Sequence, residues 1–580
     1  MRLIGVFVFL YSLRGVPASA ATPETTELCG VRIAAEEKID FSTTETKWIC
    51  GDPDSEAWRE IPVAQRKTWL TSFLQSRGYH RPTFREDGGR LLVDAGPKFS
   101  VQKFTVEGAP AEWDWTRRRH VIGTTLDPRR LDEDATWAKR NLEYRGYPCP
   151  DVEAKAYLDA SEIHLAIHAG NKQRFGPVSS QGTSDMDPRI LERFSAFYPE
   201  DFFDLRLLEL TSDRILREDL YLSTFYDVIC DAQGRASIVR RFVPAAPRLL
   251  TLGAGFDTEN GPIFRGRWKR SRLTRKADSF ESTAFLSFRD LQAELKYRNH
   301  FPADPSSRFE FAPRVLVDRR DERQLRSIQY LAEPAFATGW ELRGSAMNLR
   351  FGPALNRTET EKSLIPVPRR VDTLRLTAAL DWMSHFFEYY SNDPREGYHF
   401  QIEGFAQFGR WLSDKTIHKL LVKQEALFNL GGFDPPFLVL GWRGFEGTYF
   451  YNPRELLLEE IPPGERFFLG GDEDIRGFGR QKLQGAGIGY LTAVYQGIEL
   501  RVLGVLPWKL QPFLFFDAAR AGLFTETVES PLYTAPGLGL RWSSPVGTLR
   551  ATLARGFASR SVPGDPVPNV QFFVSFGKEF

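Results

Sequence analysis

The sequence predicts two folds in one chain: small α+β modules in series up to about residue 245, then a large antiparallel β-barrel. Three observations carry this reading. In the N-terminal part, an order of helix, Arg-Gly-Tyr, hairpin and glycine recurs with a repeat of 74 residues. Past Pro244 and Pro247, helical periodicity gives way to period-two alternation over about sixteen segments. Aromatic residues reach 13%, with 46 Phe and 13 Trp against only 4 Met, which suits strands better than Met- and Leu-rich bundles. The charge balance excludes other classes: 76 Lys and Arg against 75 Asp and Glu give a net charge of +1, so no global electrostatic hold on nucleic acid is available. At 26% charged and 42% hydrophobic residues, the chain is neither disordered nor fibrous.

The N-terminal end has its own chemistry. An apolar run from Leu3 to Leu13 follows Arg2 and leads into Val16-Pro17-Ala18-Ser19-Ala20. Small residues at 18 and 20 suit cleavage before Ala21, so residues 1–20 are expected to be a signal peptide; a membrane-anchoring N-terminus is the alternative. The run is too short to span a bilayer as a helix, and no later stretch reaches about 18 apolar residues. The mature chain is then soluble or spans as a barrel. Cys29 and Cys50 fit an exported protein as a candidate disulfide, worth about 3 kcal/mol on the chain-entropy account. Cys149 and Cys230 are read either as buried thiols or as a second bridge, and no Cys/His metal spacing is present.

The repeat defines three modules, 21–95, 96–171 and 172–245. Gly96 to Gly108 and Gly170 to Gly182 are matched segments of equal length. Arg77-Gly78-Tyr79 and Arg145-Gly146-Tyr147 each follow a helix-like stretch, 63–76 and 128–144, where glycine suits a helix C-cap. Asp87-Gly88-Gly89 is a hairpin signal between Thr83–Arg85 and Arg90–Asp94. In the third, more diverged unit, helices are expected at 187–197 and 205–219 and a hairpin turn at 231–234.

The region 246–580 alternates. Leu374, Leu376, Ala378, Leu380 and Trp382 interleave with Thr373, Arg375, Thr377 and Asp381, and Ile498, Leu500 and Val502 with Gly497, Glu499 and Arg501. Val570, Phe572, Val574 and Phe576 share one face of the last segment. A soluble sandwich or propeller also alternates. The number of segments, the full charges of both signs on the second face and the lack of covering helices favour a barrel with lipid outside and a wet, charged interior.

One loop breaks the pattern between the eleventh and twelfth segments. It contains Gly470-Gly471-Asp472-Glu473-Asp474-Ile475-Arg476-Gly477-Phe478. This resembles the Val-Arg-Gly-Phe/Tyr loop of the BamA/TamA outer-membrane assembly superfamily, with Ile475 in place of Val. Phe515-Phe516-Asp517 resembles the family's Phe-x-Asp motif, with Ala519 where glycine is usual, and Gly537 to Trp542 resembles its next strand. The chain closes on Phe580, as such barrels commonly do. The resemblance implies periplasmic POTRA modules and a sixteen-stranded transmembrane barrel in the outer membrane. Three modules, and the segment Leu252 to Thr258, look most like a TamA-like member.

The same resemblance implies that the loop folds into the barrel, where Arg476 meets Asp517 on the inner wall. Parity agrees, since Gln511 and Asp517 share one face and Leu514 and Phe516 the other. Gly477 would allow a tight turn and Phe478 an apolar anchor; the acidic residues 472–474 are the alternative partners of Arg476. The closing seam would bring Gly253 and Gly255 beside Gly577 and Phe580. Expected partners are outer-membrane lipid, a TamB-like periplasm-spanning protein and unfolded client barrels or autotransporters, with phospholipid transport as a related role. A dedicated two-partner-secretion exporter and a passive porin are the alternatives. Neither a cofactor nor an enzyme activity is expected: hydrolase, metalloprotease, P-loop and dinucleotide motifs are missing from the sequence. His164 and His168 are expected on a strand's polar face, and Arg117-Arg118-Arg119 as a solvated face or a contact for anionic lipid.

Overall fold

A computed structural model of the chain describes residues 24–576 apart from 53, 120, 183–185, 232–234, 323–324, 364–365, 410–412, 414, 452–459, 484–488, 525–526, 545–546 and 562–568. The expected signal peptide, Gly577 and Phe580 lie outside the described residues.

Three small sheets come first, and each repeats one plan: a strand, a helical stretch, then a hairpin whose second strand lies parallel to the first. In the first, β1 (Glu24–Leu28) precedes β2 (Val31–Ala35), helices α1 (Thr43–Cys50) and α2 (Val63–Gln75), and the hairpin β3 (Thr83–Asp87) and β4 (Arg90–Asp94), in the sheet order β1-β2-β4-β3. Next come β5 (Lys103–Glu107), α3 (Pro128–Glu143), β6 (Asp151–Tyr157) and β7 (Glu162–His168), then β8 (Arg174–Gln181), α4 (Leu205–Arg217), β9 (Tyr221–Cys230) and β10 (Arg235–Pro244). β4, β7 and β10 pair in parallel with β2, β5 and β8 respectively.

The recurring glycines have steric reasons. Gly108 and Gly182 follow β5 and β8 at φ +76 and +85 and turn the chain against a carbonyl of the paired strand, Ile167 O and Phe242 O. Gly78, at φ +90, ends α2 so that Tyr79 N can reach Leu74 O at 2.9 Å. Between the layers lie Val31, Ile33, Leu70 and Leu74 in the first module and Phe175, Phe197 and Leu208 in the third. The structure bonds Cys29 to Cys50, and Cys149 to Cys230.

One expected helix differs. Residues 187–197 form a 3-10 helix, Pro188–Phe194, capped by Asp187. Arg193, inside it, is drawn to the carbonyl oxygens of Pro305 and Lys276, which a lengthened α-helix would have to give up. The backbone of the arginine run is tied to a turn, with Asp434 N donating to Arg117 O at 3.1 Å and Arg118 in a β-bridge with Asp434, while the Arg117 side chain is exposed. His164 lies on β7, where it meets Thr105 at 3.0 Å.

Past Pro244 the chain closes into one barrel. Its strands are β11 (Arg248–Asp257), β12 (Gly261–Arg270), β13 (Ser279–Leu286), β14 (Asp290–Arg298) and β15, which runs through Glu310–Phe311 and Arg314–Asp321. β16 runs through Arg326–Glu333 and Phe336–Leu342, followed by β17 (Ser345–Lys362) and β18 (Arg370–Ser384). A short helix α5 (His385–Tyr389) leads to β19 (Gly397–Gln407), β20 (Ile417–Leu430) and β21 (Leu438–Tyr451). β22 (Thr492–Val502), β23 (Leu510–Gly522), β24 (Tyr533–Ser544), β25 (Gly547–Arg555, continued by Phe557–Ala558) and β26 (Val570–Phe576) complete sixteen antiparallel strands. No helix among the described residues is long and apolar enough to cross a membrane, which says nothing of crossing by strands.

The third module is fixed to the barrel end from which β11 starts. Arg214 of α4 reaches Glu388 of α5 at 2.6 Å and Glu341 of β16 at 3.0 Å, all three largely buried. Arg206 stacks over the Phe386 ring at 4.2 Å. Burial alone would raise the Glu218 carboxyl, but Arg298 and Lys269 hold it at about 2.

Candidate functional site

The loop between β21 and β22 enters the barrel, and Arg476 ends on the inner wall. Its side chain and that of Asp517 are both 0% exposed. Nε donates to Asp517 Oδ2 at 2.8 Å and Nη2 to Oδ1 at 2.8 Å, a bidentate fork, while the Arg476 backbone N–H donates to Oδ2 at 3.1 Å. Nη1 reaches Glu499 Oε2 at 3.0 Å. The guanidinium lies 3.4 Å above the Phe515 ring, which covers its flat face. Tyr495 donates to Asp517 Oδ1 at 3.1 Å and accepts from Arg443 Nε at 3.0 Å. A charge held this deeply is tolerable only when its donors are matched in this way.

The loop's own residues shape it for that position. Asp474 does not neutralise Arg476; its Oδ1 accepts the N–H groups of Gly470, at 2.7 Å, and Ile475, folding the turn on itself. Gly470 and Gly471 adopt φ +107 and +128, where a side chain is strained. A Cβ on Gly477 would lie 2.5 Å from Gly556 Cα on β25, so only glycine lets the loop lie against that strand. Ile475 and Phe478 are buried, and the Phe478 ring meets Tyr533 edge-on at 5.5 Å.

The strand pair β23 and β24 explains a further part of the sequence pattern. Phe513 and Phe515 face inward, opposite Gly539 and Gly537 in register. A Cβ at either glycine would collide with the ring opposite, so the alternating glycines accommodate two aromatic rings beneath Arg476 and Arg550. Room beside Asp517 comes from Gly497 on β22, whose Cβ would approach Asp517 Oδ1 to 2.8 Å; Ala519 sits further along β23, packed in the core. Sequence reasoning missed Gly497, Tyr495, Arg443 and the second acid, Glu499. Glu499 was legible as a charged residue on the inward phase of β22.

At the seam, among the described residues, β11 and β26 share the register pairs Phe256 with Phe576 and Asp257 with Ser575. β11 and β12 share ten, from Arg248 with Arg270 to Asp257 with Gly261. A Cβ on Gly255 would lie 2.9 Å from Phe576 O. Among the described residues no cluster of His, Cys, Asp or Glu could hold a metal ion.

Serial α+β modules, a closed sixteen-stranded barrel and a loop locked to its inner wall define a class: POTRA-like modules on an outer-membrane β-barrel. Residues 389–580 match the Omp85 superfamily domain. The solved structure of BamA from Haemophilus ducreyi lacking POTRA domains 1–3 aligns at 14% identity with a TM-score of 0.50, covering 79% of this chain and 95% of that one. It shares the fold. CdiB from Escherichia coli aligns at 13% identity and a TM-score of 0.43, over 89% of this chain and 97% of that one. CdiB from Acinetobacter baumannii aligns at 13% and 0.44, over 93% and 100%.

Proposed function

We propose that the protein inserts or translocates client proteins at the outer membrane, with its modules in the periplasm, and that it does so without a chemical step. The observation that carries this reading is the inward loop, whose Arg476 is locked to Asp517 on the inner wall of a barrel that closes its first strand, β11, on its last, β26. Opening the junction of β11 and β26 would expose strand edges able to pair with an unfolded client strand.

Within that role, the protein acts as a TamA-like factor. Its clients are unfolded β-barrels such as autotransporters, a TamB-like periplasm-spanning protein docks on the modules, and phospholipid transfer is a related activity. Three serial modules support this reading, as does the likeness of the Arg476 loop to that family. Purified protein in liposomes, offered a urea-unfolded autotransporter barrel, tests it. The expected result is heat-modifiable, protease-protected client at a rate several-fold above empty liposomes, abolished by a disulfide across the seam. Equal rates with and without the protein contradict client insertion. Insertion untouched by the locked seam contradicts the gating.

A further inference from the structure

The wall contact of Arg476 accounts for only one end of the inward loop. Four residues further on, Arg480 Nε donates to Glu322 Oε1 at 2.8 Å and Nη2 to Asp290 Oδ2 at 3.1 Å. Glu322 is held from its other oxygen by Arg289 at 2.9 Å. At the loop tip, Asp472 N–H donates to Glu259 Oε2 at 3.2 Å, and Gly471 passes so close that a Cβ would lie 2.7 Å from Glu259 Oε1. Glu259 is in the turn between β11 and β12, Asp290 begins β14, and Glu322 follows β15. These three acids stand on the β11 side of the seam.

The loop's remaining contacts fall on the β26 side. Asp517 belongs to β23, Thr552 of β25 reaches Asp472 Oδ1 at 3.4 Å, and a Cβ on Gly479 would lie 3.5 Å from Gln571 Oε1 of β26. One short stretch, 471–480, therefore touches both flanks of the junction where β11 meets β26.

We propose that this loop is a brace across the seam, with Arg480 and Glu259 as positioning residues that anchor it to the β11 flank. The two anchors are unequal. Arg476 and Asp517 are fully enclosed, whereas Arg480 and Asp290 keep 19% and 20% of their side-chain surface exposed. Water competes for the Arg480 contacts and hardly at all for those of Arg476. The Arg480 clasp is the one that releases when the seam parts, leaving the loop on β23. The inference deepens the seam reading given above, and its test uses no client, so that its outcome is separate from client insertion.

Hydrogen exchange on the full chain in nanodiscs reads the seam directly, because Thr258 N–H donates to Val574 O at 3.0 Å across it. Arg480→Gln is expected to speed exchange in segments 248–258 and 570–576 about tenfold while leaving 510–522 unchanged. Glu322→Gln, which keeps the shape of the acid, should do the same by a few-fold and serves if Arg480→Gln does not fold. Seam exchange at the wild-type rate in the folded variants overturns the brace, as does an equal rise in 510–522, which marks general loosening. Failure of client insertion by the wild-type protein would remove the proposed function and leave this result standing.

Discussion

The modules and the barrel solve opposite packing problems with the same residue types. In the third module, Leu208 and Ile215 of α4 are sealed beneath the sheet. In the barrel, Leu252 and Leu514 are 75% and 62% exposed, while Arg476, Glu499, Arg501 and Asp517 are buried. The difference teaches that burial here follows the solvent on the outer face. A chain in water hides hydrocarbon, and a chain in lipid must instead pair every charge it encloses.

The largest expected effect comes from breaking that enclosure. Arg476→Ala leaves Asp517 and Glu499 without their shared cation and should cost about 3–5 kcal/mol, read as loss of heat-modifiable migration by the barrel with the modules still folded. Adding Asp517→Ala should recover part of the loss, since the two changes act on one pair.

The first module should respond to its covalent link. Cys29→Ser with Cys50→Ser removes a bridge worth about 3 kcal/mol, and protease protection of residues 24–94 should fall while barrel migration is unchanged.

A paired substitution sharpens the contrast of the two surfaces. Leu514→Arg places a charge in hydrocarbon and should cost about 2 kcal/mol or more in refolding titrations into lipid. Phe225→Arg, at a comparably exposed position on β9, should change stability by no more than about 0.5 kcal/mol, because that face meets water.

The smallest effect is a pH dependence confined to the first module. The Arg77 guanidinium holds the Glu45 carboxyl at about 2, below its ordinary 4.5. Glu45 therefore contributes its full stabilisation above pH 4.5 and loses it as the pH falls towards 2. Arg77→Ala should flatten the acid limb of the module's protease-protection curve.

Much of this was legible in the sequence where a local rule decides the outcome. Period-two alternation marked Leu514 and Phe516 as outward and Asp517 as inward, and the recurring Gly108 and Gly182 marked the repeat, where the structure places positive-φ turns. Where partners are set by register between distant strands, the signal faded. Nothing local in Gly497 shows that it clears space for Asp517, and although parity puts Phe513 and Phe515 on the inward face, nothing local shows that Gly539 and Gly537 stand opposite to make room for their rings. The helix expected at 187–197 gave way to a 3-10 turn because Arg193 bonds to carbonyls more than eighty residues away along the chain. Arg117 and Arg118 likewise meet a turn, at Asp434, that no neighbouring residue announces.

Lipid-resident labelling along β23 tests the inverted barrel most directly. Single cysteines at 511, 513, 514, 515, 516 and 517 in the full chain, reconstituted in liposomes, would be exposed to a thiol probe carried in the acyl region. The account predicts strong labelling at 514 and 516 and little at the other four. Uniform protection of all six, or labelling of 514 and 516 by a water-borne probe alone, would contradict a wall that turns its apolar face to lipid.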